Sequence, residues 1–107
     1  MTCFELFCMI YYALDAFYDQ NKNDIVGQFL SDANPFLFED SGSADPAVFE
    51  EFCSFVNEPI EPGESYSVAN MYIEQLCNQD IANAFKSISK SEWDDGLDSY
   101  LSSPHKE

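Results

Sequence analysis

Residues 2–18 read TCFELFCMIYYALDAFY. Thr2 and Glu5 stand three residues apart, a capping-box spacing in which each side chain satisfies a backbone amide at the start of a helix, so a helix is expected from Cys3. From there Phe4, Phe7, Cys8, Tyr11, Leu14 and Tyr18 recur at three- and four-residue steps. Leu6, Ile10 and Phe17 widen the apolar face until Asn21 and Asn23 interrupt it. A helix this apolar belongs at the centre of a core or under a second copy of the chain.

The same reading extends downstream. Ile25, Val26, Phe29 and Leu30 share a face in a short second helix over Asp24 to Ser31, capped by Asn23 or Asp24 and weakened by Gly27. Ser31 to Ala44 is a loop, since Asn34 precedes Pro35 and is biased away from helix. Its Phe36, Leu37 and Phe38 are expected to fold back onto the body, with docking on another chain as the alternative. Asp45 followed by Pro46 reads as an N-cap and first helical position, opening a third helix to about Val56. Pro59, Pro62 and Gly63 mark a second connection.

Ala69, Ile73, Leu76, Cys77, Ile81, Ala84, Phe85 and Ile88 keep helical steps through the polar Asn78-Gln79-Asp80. One long helix from Ser65 to about Ser87 is therefore favoured over a break near Asp80, because no Gly or Pro interrupts it. Ser89 and Glu92 form another capping box, and Trp93, Leu97, Tyr100 and Leu101 supply the face of a final helix. The tail from 102 to 107 is expected to fray. No strand pattern competes. The expected fold is all-α: one domain over 1–107, a compact bundle of five or six short helices around an aromatic-rich core. Ten Phe and six Tyr in 107 residues provide the material for it.

Charge narrows the class of partner. Twenty Asp and Glu against four Lys and Arg give a formal net charge of −16. Nucleic-acid phosphates and anionic lipids would approach a surface of their own sign within a Debye length of about 8 Å, so direct binding of either is not expected. The apolar run Leu6 to Leu14 lacks a preceding Lys or Arg and is interrupted by tyrosines. It fits neither a signal peptide nor a membrane span, and the cytoplasm is the expected location.

Chemistry-bearing patterns are sparse. Cys3, Cys8, Cys53 and Cys77 contain no C-x-x-C pair and sit within apolar helical patterns, which reads as reduced core thiols and not as a zinc site. His105 lies near the terminus after Pro104, a poor place for a catalytic base. Asp19, Asn21 and Asn23 match the first, third and fifth positions of a calcium loop, but Asp24 and Leu30 stand where its Gly and bidentate Glu belong. Asp15, Asp45, Glu50, Glu51 and Glu74 could furnish a carboxylate metal site only by converging from several helices, and no Glu-x-x-His accompanies them. No nucleophile with a base or phosphate-binding glycine loop is present, so neither an enzyme nor a bound cofactor is expected.

Two features fit a partner surface. Glu92, Asp94, Asp95 and Asp98 surround Trp93, setting an aromatic anchor among carboxylates, although Trp93 in the core with acids favouring the helix N-terminus is the stronger reading. Phe36 and Phe38 form the apolar tip of the first loop. The expected function is an acidic protein-binding module for a basic protein partner. Immunity proteins, antitoxins and inhibitors that occupy basic nuclease sites offer an analogy of composition and size only. The alternative is a structural or regulatory domain that forms a homodimer through helix 1, its acidity serving solubility.

Overall fold

The computed structural model describes residues 1–35 and 43–104, and its chain forms six helices with no strand among the described residues. In order they are α1 (Cys3–Asn21), α2 (Asp24–Ala33), α3 (Pro46–Phe55), α4 (Ser65–Gln75), α5 (Gln79–Lys86) and α6 (Lys90–Ser102), with a 3₁₀ turn at Pro62–Glu64. All six contribute to one buried cluster, so the all-α, aromatic-rich bundle anticipated from the periodicity is the architecture found.

The caps set the boundaries. Thr2 and Glu5 make the reciprocal capping box, and Glu5, though acidic, is buried because its carboxylate accepts the Thr2 amide at 2.8 Å. Lys22 ends α1 in the left-handed conformation, donating its amide to the Tyr18 carbonyl at 2.8 Å. Asn23, not Asp24, caps α2: its Oδ1 accepts the amides of Ile25 and Val26 at 2.9 and 3.1 Å. Helix α2 continues to Ala33, two residues past the expected start of the loop, and stops where Asn34 meets Pro35. The loop's ends are clasped by Ala44 donating to Asn34 O at 3.0 Å and Asp45 donating to Asp32 O at 2.8 Å. The fold-back expected of Phe36 to Phe38 falls outside the described residues.

Helix α1 occupies the centre. Residues Cys3 to Ile10 are buried continuously, and the helix touches α2, α3, α4, α5 and α6. Over Cys3 to Ile10 the chain itself covers the apolar face. Edge-on aromatic contacts carry much of the packing: Phe7 meets Phe49 and Phe52 at centroid distances of 5.2 Å each, and Phe52 meets Tyr72 at 4.7 Å. The connection after α3 returns to the N-terminus, where the Met1 ammonium donates to Ile60 O at 2.7 Å and Ile60 N donates to Met1 O at 3.1 Å.

One expectation is corrected. The stretch Ser65 to Ser87 is two helices, broken at Leu76 to Asn78. Cys77 takes a left-handed φ of 53° without being glycine, and Asn78 Oδ1 accepts the amides of Asp80 and Ile81 at 3.1 and 3.2 Å. The apolar steps run through the break because α4 and α5 both bury that face, Ile73 and Ile81 included, against the same core. Cys77 is consequently exposed, and it is not the core thiol its spacing suggested. No helix among the described residues is long and apolar enough to cross a membrane.

Candidate functional site

A groove of about 720 Å³ lies between the first and last helices. Its α6 wall runs from Glu92 to the capping Ser103, about 16 Å at the helical rise of 1.5 Å per residue, with Ile88 before the helix and Pro104 after it also in the lining. Met9, Tyr12, Ala13 and Ala16 form the α1 wall. Small residues on both walls, Ala13 and Ala16 on α1 and Gly96, Ser99 and Ser103 on the α6 side, leave room between the longer Met9, Tyr12 and Tyr100.

Trp93 builds the floor from the α6 side. Its indole is 2% exposed and donates from Nε1 to the buried Ser65 Oγ at 2.9 Å, while Ser65 donates onward to Pro62 O at 2.7 Å. Phe85 and Tyr66 pack against the ring at 5.7 and 5.8 Å, and the Tyr66 hydroxyl donates to Ile88 O at 2.8 Å. These contacts fix the start of α6 onto α4 and α5. Trp93 is thus a core residue that contributes to the groove lining and not a ring standing in solvent. Further along, Tyr100 crosses to α1 and meets Tyr12 edge-on at 5.9 Å, with Tyr12 45% exposed. Burial pushes the Tyr100 phenol well above its ordinary pKa, and Cys8, Glu5 and Tyr12 beside it push in the same direction. It stays a neutral hydroxyl at physiological pH.

The carboxylates divide around this groove. Glu92 lies in its wall, exposed, with one oxygen accepting the Ser89 amide at 3.2 Å. Asp95 and Asp98 are exposed on α6, whereas Asp94 takes the Lys90 ammonium at 2.8 Å. Glu92 and Trp93 are therefore together in the groove, and Asp94 is occupied locally. Phe36 and Phe38 lie outside the described residues. Sequence reasoning passed over Tyr12, Ala13, Ala16, Gly96, Ser99 and Ser103. The available signal was the recurrence of small residues at 96, 99 and 103 on the stripe that holds Glu92.

Among the described residues no group of three or more His, Cys, Asp or Glu side chains gathers as a metal site would require. The segment Asp19 to Asn23 is the last turn of α1 with the two residues that join it to α2, and Asn23 Nδ2 donates to Asp80 Oδ1 at 3.3 Å. A search of protein-family models, curated proteins and solved structures matches none of them to this chain.

Proposed function

We propose that this chain is a stoichiometric binding protein that receives a cationic, amphipathic helical segment of a protein partner in the groove between α1 and α6. The carrying observation is the groove itself: an apolar trough about three helical turns long, with Glu92 in its wall and Asp95 and Asp98 exposed on the same helix. Apolar side chains of a docked helix would fill the space left by Ala13, Ala16 and Gly96. Lysines and arginines on its flanks would meet carboxylates on a chain that has only four cations of its own. The field of a −16 protein draws such a segment in and repels nucleic acid and anionic membrane alike. Inhibition of a basic protein by occupying its cationic surface is one use of this chemistry.

The test is a titration with two helical peptides of one apolar pattern, one bearing lysines and the other glutamates on the polar face. Trp93, the only tryptophan, reports from the groove floor. The lysine peptide should shift its emission and bind more weakly as salt rises, while the glutamate peptide should not bind. Ser99→Lys, at an exposed position of the wall, should weaken binding by about tenfold or more. Equal binding of both peptides, binding of neither, or an unchanged affinity in the Ser99→Lys protein would overturn the reading.

A further inference from the structure

Among the described residues that line the α1–α6 groove, Glu92 is the only one that carries a charge. Asp95 and Asp98 are exposed on the same helix but outside the lining, and Asp94 takes the Lys90 ammonium at 2.8 Å. The groove thus holds one carboxylate, near the start of α6, and is uncharged along the rest of its length. That carboxylate is also held in place. Glu92 donates its amide to Ser89 Oγ at 3.1 Å, and its Oε1 accepts the Ser89 amide at 3.2 Å, so the capping box that starts α6 fixes the acid. Its Oε2 has no hydrogen-bond partner among the described residues. One turn further on, about 6 Å along the axis, Gly96 is the point of the α6 wall without a side chain. A Cβ there would meet only Met9 Cε, at 3.7 Å. Trp93 beside it presents carbon to the groove, because its N–H is committed to Ser65.

We infer that the groove selects its helical partner by register: a bulky apolar side chain seats over Gly96, and a lysine or arginine one turn away on the same face of the docked helix meets Glu92. The inference rests on the groove being the site for a cationic helix, and adds which positions of that helix are read. A docked helix repeats its side chains at the same three- and four-residue steps as α6. An anchor over Gly96 therefore brings the next position of its face to Glu92 on one side and to Ser99 on the other. Only the first of these meets a charge. The net charge of −16 and the exposed Asp95 and Asp98 act differently, attracting cations wherever they stand on the segment, which speeds encounter without choosing an alignment. Glu92 chooses because it is a single, fixed carboxylate at the edge of an apolar floor. A docked helix covers it, so its pairing acts in a less watery setting than that of either acid outside the lining.

The experiment titrates the full chain with the lysine-bearing helix and with two variants of it that share one composition, read by Trp93 emission. Each variant carries a single leucine and a single lysine on its docking face, with alanine elsewhere on that face. The lysine stands one turn from the leucine in the first variant and two turns from it in the second. The first should bind about tenfold or more tighter than the second. Glu92→Gln should erase that difference by weakening the first alone, with the urea midpoint unchanged, because glutamine keeps the capping-box acceptor. Asp98→Asn removes the same charge outside the lining and should leave the difference intact. Equal binding of the two variants, or a difference that survives Glu92→Gln, would overturn the inference while the lysine-over-glutamate preference stands. If the lysine-bearing helix binds and neither variant does, the inference alone falls. If none of the three binds, the groove reading falls with it.

Discussion

Helix α1 has two flanks, and a glycine lies across from it on each. On the α2 side, Gly27 sits so close to the Tyr18 ring that an added Cβ would fall 2.7 Å from its Cε1, and Val26, Leu30 and Ile81 are buried beside it. On the α6 side, a Cβ at Gly96 would meet nothing nearer than Met9 Cε, at 3.7 Å. One glycine lets an aromatic ring press against a helix; the other leaves a space unfilled. The same central helix is thus locked on one flank and open on the other. A gap beside so apolar a helix is the feature that sets this protein apart from a bundle packed throughout.

The largest expected effect requires no substitution. In the unfolded chain cysteines lose their protons near 9.0 and tyrosines near 10.0, but in the fold Cys3 and Tyr72 are held up to about 12 and Tyr100 is raised as well. The unfolded state therefore binds fewer protons as the pH climbs from about 9 to 12, and stability falls with pH across that window. Denaturant unfolding should give a flat profile between pH 7 and about 8.5 and a steep loss above about 10. Tyr72→Phe probes the packed core between α3 and α4 and Tyr100→Phe the groove. Each should move the alkaline midpoint upward.

Substitutions two residues apart on α1 divide the flanks more sharply. Leu14 is fully buried, and Leu14→Ala should cost roughly 3 kcal/mol through lost transfer energy and a residual cavity. Tyr12→Ala, on the groove wall, should cost less than about 1 kcal/mol. Urea midpoints with unchanged slopes measure both. Similar losses would mean that the groove side is as tightly coupled to the core as the other. Next in size is Gly27→Ala, expected to destabilise by about 1 kcal/mol even though alanine favours helix, because the half-buried Tyr18 ring must leave its seat against α2.

What the sequence made legible follows the same division. Features that act through neighbouring residues were readable: the Thr2–Glu5 and Ser89–Glu92 boxes, the Asp45–Pro46 start and the apolar stripes all form the elements they imply. The α4–α5 break was not, because Cys77 adopts the left-handed conformation ordinarily signalled by Gly, while both helices keep one apolar register. The depth of Trp93 was ambiguous because helical spacing places a ring on a stripe without saying whether a partner such as Ser65 waits for its N–H. The groove was harder to read for a more basic reason. Small residues recur at 96, 99 and 103 on the Glu92 stripe, but the α1 wall that they meet lies far away in sequence, and no local pattern pairs the two.

Gly96 offers the smallest and most diagnostic test of that gap. It lies inside α6, where glycine costs about 1 kcal/mol relative to alanine. An alanine methyl would stand at ordinary van der Waals distance from Met9 and project toward the groove. Gly96→Ala should therefore raise stability by about 0.5–1 kcal/mol, the opposite sign to Gly27→Ala, with the urea slope unchanged. The same methyl takes room that a docked helix would use, so affinity for the lysine-bearing peptide should fall while the fold gains. Stability and binding moving in opposite directions from one added carbon would identify the open flank as space kept for a partner at the expense of the helix. A loss of stability would instead show that Met9 and α6 are packed against each other as firmly as Tyr18 and α2, and the contrast between the flanks would not hold.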